Sequence, residues 1–169
     1  MFAALSSRRH FIAAAGILSA LALVVALIFQ YGFGFRPCQL CIVQRWFHGA
    51  VIAFSLIAWF RPGRAALSIA SAAAFWGGVA SAYHAGVEWG FWRGLPSCSG
   101  GSDLSRLDAA DLLSTSGAGM VSCSDPAWVF AGLSMAGWDA VLFAFIFLIL
   151  EVAASDRSKR EPAKTFQHA

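Results

Sequence analysis

Four cysteines carry the chemistry this 169-residue chain is able to do. Two stand close together, in Arg36-Pro37-Cys38-Gln39-Leu40-Cys41. A Cys-x-x-Cys pair closes a small ring whose sulfurs exchange readily. Proline suits the first turn of a helix, where a missing N–H costs nothing. The pair is therefore expected to straddle a helix N-terminus, where unpaired N–H groups and the helix dipole stabilise a thiolate. Arg45 follows Cys41 by four residues and Cys38 by seven, so on a helix all three share one face. A guanidinium one turn below a thiolate lowers the thiol pKa and can bind an anionic or carbonyl oxygen. The bland reading of Arg45 is a side chain reaching to lipid headgroups.

The other two cysteines, Cys98 and Cys123, bracket a Gly- and Ser-rich stretch with a short Leu/Asp-patterned segment, Leu104 to Leu113. That segment reads as a small amphipathic helix, lying on a membrane surface or packing its leucines inward. A disulfide across such a loop exchanges more easily than a buried one. A zinc site of four cysteines wants two closely spaced pairs, and the 25-residue separation of Cys98 and Cys123 does not supply the second. No metal is expected. Four cysteines permit three pairings, and the resting connectivity stays open.

These residues have to be held by something, and composition says what. The chain is 59% hydrophobic and only 12% charged, with a mean hydropathy of +0.66. Soluble domains average roughly 25% charged residues. The net charge of +3 comes with no basic, aromatic-interleaved patch, so nucleic acid is not implied. Four apolar runs, Phe11–Phe29, Trp46–Phe60, Ala65–Tyr83 and Met135–Leu150, are long enough, with their flanks, to cross a ~30 Å hydrocarbon core as helices. Ser7-Arg8-Arg9-His10 resembles a twin-arginine export signal, but no small-x-small cleavage site follows the first apolar run. It is read as an uncleaved span.

The expected fold is therefore an all-α integral membrane protein, a bundle of four transmembrane helices with a long outer loop between helices 3 and 4. Residues 1–155 form the membrane domain, with spans near 10–30, 42–60, 65–84 and 134–152 and outer loops 31–41 and 85–133. Residues 156–169 form a basic tail. Lys and Arg concentrate on the cytoplasmic side of such proteins. Arg8, Arg9, Arg61, Arg64, Arg157, Lys159, Arg160 and Lys164 fall on one side, and only Arg36, Arg45, Arg93 and Arg106 on the other. Both termini are thus expected in the cytoplasm and all four cysteines outside, where disulfides persist. In a bacterium this places the chain in the inner membrane with its loops in the periplasm.

Some polar residues keep two readings. His84 and Glu88, one turn apart at the outer end of the third span, either line a pocket and carry protons or form an interfacial pair. Asp139 is either functional, as an acid inside a membrane segment usually is, or a cap or arginine partner. His48 either faces the pocket below Arg45 or packs between helices. Trp89, Trp92, Trp128 and Trp138 read as interfacial aromatics, and Gly77-Gly78 as a site of close helix packing.

Pro37-Cys38-x-x-Cys41 with Arg45, and Cys123 followed by Trp128-x-Phe130-x-Gly132-Leu133-x-Met135-x-x-Trp138, resemble the DsbB family of bacterial disulfide-generating membrane proteins. The resemblance covers residues 8 to about 155. It implies a protein-dithiol:quinone oxidoreductase. Cys98 would be attacked by a DsbA-like thioredoxin-fold partner. Cys123 would be its mate, able also to bridge to Cys38. Cys41 would be the thiolate that contacts a ubiquinone or menaquinone, with Arg45 beside it and His84 a less securely aligned quinone-site residue. Gln44 departs from an acidic residue that some members carry, which bears on quinone preference. A relative serving a dedicated partner, a membrane scaffold with structural disulfides, and a zinc-binding sensor are the competing readings.

Overall fold

The computed structural model describes residues 2–61, 63–95 and 122–158, with side chains between residues 8 and 155. Cys98 and the Leu104–Leu113 segment lie outside the described residues, as does the tail beyond 158.

Helix α1 runs Phe2–Leu27 and widens into a π-turn at Ile28–Gly32. Helix α2 is Gln39–Phe60, α3 is Arg64–Glu88, and α4 is Met135–Ser158. Four segments, Arg8–Gly32, Gln39–Phe60, Arg64–Glu88 and Met135–Ser155, are long and apolar enough to cross a membrane. The expected four-helix class is what the chain adopts. Inside hydrocarbon a helix satisfies its own backbone, so the long apolar runs have no better option.

Packing follows side-chain size. Helix α3 lies most extensively against α4 and then α2, while α1 packs on α2 and α4. The core joins Ile12 and Ala15 of α1, Val51 and Ala58 of α2, Leu67, Ala70, Ala73 and Ala74 of α3, and Phe143, Ile146 and Leu150 of α4. The alanine-rich face of α3 lets its backbone come close to neighbours, the usual device where apolar burial gives no preference for helix over lipid. Gly77 shows how close: a Cβ there would sit 2.5 Å from the Phe143 ring. Large apolar side chains such as Leu21, Trp46, Trp76, Phe145 and Leu148 point outward, as lipid-facing residues do.

Between the long loop and α4 the structure holds a short antiparallel hairpin, β1 Val129–Phe130 and β2 Leu133–Ser134. The sequence places residues up to 133 in the outer loop leading into the last helix and signals no strand there. The turn residues Ala131 and Gly132 have φ of 50° and 79°, the double left-handed conformation that matches strand twist in a two-residue hairpin. Alanine is a poor signal for such a turn, so the hairpin left little trace in the sequence. Ser134 then caps α4, accepting from Gly137 N at 3.1 Å.

Candidate functional site

Cys38 is the N-cap of α2, and its sulfur accepts the backbone N–H of Cys41 at 3.3 Å. Pro37 therefore precedes the cap rather than occupying the first turn. Cys38 and Cys41 are free thiols with sulfurs 2.8 Å apart. Cys38 is 5% exposed, and its thiol is pulled down from an ordinary 9.0 to about 4. The chief cause is the hydrogen bond from the Cys41 thiol. Burial opposes it, while His84 and the Cys41 N–H assist. The pair thus holds one thiolate, at Cys38, and one thiol that donates to it.

His84 comes from α3, one turn before its end, and is only 3% exposed. Gln44 Nε2 donates to its Nδ1 at 3.2 Å. That leaves the ring proton on Nε2, which faces Cys38 Sγ at 3.5 Å. Glu88 lies 3.9 Å from the same Nε2 and accepts from the Ser134 hydroxyl. The His84–Glu88 pair is therefore built into the interior, and the interfacial reading does not hold. Through Ser134 it also fixes the end of α3 to the start of α4.

Cys123 is buried to 1% and packs with Cys38, Leu40 and Val87. It is disulfide-bonded. Its sulfur, that of Cys38 and a His84 ring nitrogen all lie within 4.8 Å of one another. Two cysteines 85 positions apart in sequence are thus brought almost into contact at the top of α2.

Arg45 is placed differently from expectation. Its Nη1 donates to Gln30 Oε1 and its Nη2 to Ala26 O at 3.3 Å. It ties α2 to the π-turn of α1 and is not among the groups that lower Cys38. A π-turn inside a helix commonly marks a functional position.

Below the sulfurs opens a cavity of about 440 Å³, within the usual range for a small-molecule site. Leu18, Leu21, Val25, Phe29, Met135 and Leu142 make most of its wall apolar, and Trp128 and Trp138 close it from the hairpin side. Its polar lining is Cys38, Cys41, Gln44, Arg45, His48, His84, Glu88 and Asp139 with a few loop residues. Trp128 stacks on Phe130 at 5.6 Å and meets Phe29 at 6.2 Å, so the hairpin is part of the site. Trp92 folds over the end of α3, stacked on Tyr83 and donating to Tyr83 O at 2.9 Å.

Deeper in the bundle, His48 Nε2 lies 2.8 Å from Asp139 Oδ1. Ser81 Oγ lies 2.8 Å from Asp139 Oδ2. Asp139 is thus held against side chains of α2 and α3 across the bundle. This pairing of α2 with α4 was not anticipated; an apolar face interrupted at residues 48 and 139 was its only sequence signal.

The family model described as disulfide bond formation protein DsbB matches residues 8–153. The chain is 33% identical over 141 residues to a disulfide bond formation protein B of Psychrobacter arcticus, covering 78% of this chain and 80% of that one. It is 32% identical over 141 residues to one of Chromohalobacter salexigens, covering 79% and 82%. It is 31% identical over 154 residues to one of Mannheimia succiniciproducens, covering 82% and 84%. A match over nearly every described residue, together with four membrane-length helices that converge on the cysteines, makes this chain a multi-pass membrane protein of the DsbB disulfide bond formation family.

Proposed function

We propose that the chain reoxidises a periplasmic DsbA-like dithiol protein and passes the electrons to membrane quinone, acting as a protein-dithiol:quinone oxidoreductase of the bacterial inner membrane with both termini in the cytoplasm. One observation carries the reading: Cys123 Sγ stands within 4.8 Å of a Cys38 thiolate whose neighbour Cys41 lines an apolar cavity. Sulfur-to-sulfur exchange and access to a lipid-soluble acceptor meet at one point.

In this scheme the partner's thiolate attacks Cys98 of a Cys98–Cys123 disulfide. The mixed disulfide resolves and the partner leaves oxidised. The released Cys123 thiol exchanges with a Cys38–Cys41 disulfide at Cys38, whose sulfur lies within 4.8 Å of it. Cys41 is left to face the cavity and deliver the electrons. The cavity suits ubiquinone or menaquinone: its wall is apolar, and Arg45 and His48 put polar groups at two levels of it. When bound there, the quinone supplies the two-electron acceptor that the sulfurs lack. Around it, Cys41 presents sulfur, Arg45 holds the π-turn against α2, and Trp128 and Trp138 help exclude water.

A DsbA-type partner sits near −120 mV, and ~30 mV is worth ~1.4 kcal/mol for two electrons. An ordinary structural disulfide, below roughly −300 mV, would make the transfer uphill by more than ~8 kcal/mol. A stabilised Cys38 thiolate favours the dithiol state and so makes the Cys38–Cys41 disulfide a stronger oxidant, which is the direction required.

The test is a quinone-reduction assay driven by reduced DsbA-like protein. Wild-type protein is expected to turn over and Cys41→Ser to stop. Quinone reduction that survives Cys41→Ser rules the scheme out.

A further inference from the structure

Cys41, Arg45 and His48 are spaced i, i+4 and i+7 on α2, so they descend one face of the helix into the cavity. The first two belong to the reading above. His48 is unused by it, yet is built with care. It is 3% exposed, its ring stacks on Phe143 at 4.0 Å and 15°, and its Nε2 is paired with Asp139 at 2.8 Å. The other Asp139 oxygen lies 2.8 Å from Ser81 Oγ, whose single proton is shared between it and Gly77 O at 2.9 Å. The other ring nitrogen, Nδ1, is buried and has no hydrogen-bond partner among the described residues. A buried polar atom with no partner is costly. In a residue that lines a ligand cavity, it marks where a ligand's polar atom belongs.

Resting on the quinone reading, we infer that His48, held and charge-supported by Asp139, binds the quinone oxygen remote from Cys41 and supplies it with a proton through Nδ1.

Proton stoichiometry requires such a group. Formation of the Cys38–Cys41 disulfide from one thiolate and one thiol releases two electrons and one proton. Reduction of a quinone to a quinol consumes two electrons and two protons. Cys41 provides one proton as its S–H bond breaks and the S–S bond forms. The other passes from His48 Nδ1, while the Asp139 carboxylate holds the opposite ring nitrogen. His48 then stands neutral, with Nε2–H kept on Asp139 and an Nδ1 lone pair able to accept from the new quinol hydroxyl. A proton from the aqueous side, the one Cys38 gave up on becoming a thiolate, restores it. The arrangement is that of a general acid with its tautomer and charge held by a carboxylate. His48 is the group in contact with the ligand; Asp139 is a positioning residue.

The experiment uses full-length protein in detergent and a short-chain benzoquinone. Affinity is read by quenching of tryptophan fluorescence. Single-turnover quinol formation by pre-reduced protein is followed in H2O and D2O. His48→Gln removes the titratable nitrogen and is expected to weaken quinone binding about tenfold, the loss of one hydrogen bond, and to slow quinol formation. Asp139→Asn keeps hydrogen-bonding capacity without the charge. It is expected to leave affinity within about threefold while slowing quinol formation and enlarging its solvent isotope effect. It also serves if His48→Gln fails to fold. Wild-type affinity, rate and isotope effect in the folded variants would make the pair a helix–helix contact and overturn the inference. If wild-type protein itself binds and reduces no quinone, the function proposed above falls, and this inference with it.

Discussion

Replacing His84 by phenylalanine tests how the thiolate is made. The Nε2–H of His84 faces Cys38 Sγ at 3.5 Å, and phenylalanine fills similar space without a donor. Hydrogen bonds to a charged group contribute about 1.5–3 kcal/mol. At 1.36 kcal/mol per pH unit, losing one should raise the Cys38 thiol by about 1–2 pH units from its value of about 4. The same energy lost from the dithiol state makes the Cys38–Cys41 disulfide less oxidising by about 30–65 mV, at ~30 mV per 1.4 kcal/mol. The thiolate is followed by its ultraviolet absorbance against pH, in a background where Cys98 and Cys123 are alanine. The potential is read by equilibration with glutathione. The sign for stability follows from a depressed thiol. Between about 4 and 9.0 the unfolded chain binds a proton that the native reduced protein does not. Reduced protein should therefore gain stability as pH rises through that window, by at most about 1.4 kcal/mol per pH unit, and lose it as pH falls toward 4. The variant should begin losing it at higher pH. An unmoved titration together with an unmoved potential would refute the role given to His84.

The thiol of Cys41 is the largest cause of the low Cys38 value. Cys41→Ala should therefore raise the Cys38 titration by about 1–2 pH units, while Cys41→Ser, which keeps a donor, should move it less; the same absorbance titration checks both. Gln44→Leu strips His84 Nδ1 of its partner at 3.2 Å, leaving a buried nitrogen unsatisfied at a cost of about 1–3 kcal/mol, read as a lower midpoint in thermal unfolding in detergent. Gly77→Ala places a Cβ 2.5 Å from the Phe143 ring and should destabilise the bundle by about 1–3 kcal/mol through overpacking. Adding Phe143→Leu should recover part of that loss in the same unfolding assay.

The membrane class, the helix count and the place of Cys38 at a helix start were legible in the sequence because their causes are local. Apolar runs of a given length have one stable form in hydrocarbon, and a cysteine at a helix start meets the same amide donors wherever the helix lies. Cys38-x-x-Cys41, Arg45 and the Trp128–Trp138 string carry the resemblance to the family whose model matches residues 8–153. Tertiary structure decided what depends on the rotation of each helix about its axis. It turned His84 and Glu88 inward, gave Arg45 to the π-turn rather than to the thiolate, and set His48 against Asp139 across 91 positions of sequence. It also folded Val129–Ser134 into a hairpin through an alanine at φ 50°. Hydropathy records how long a helix is and nearly nothing of which way it faces. Facing was set by the close approach of α3 and α4 at Gly77 and by polar side chains that find partners only in one another.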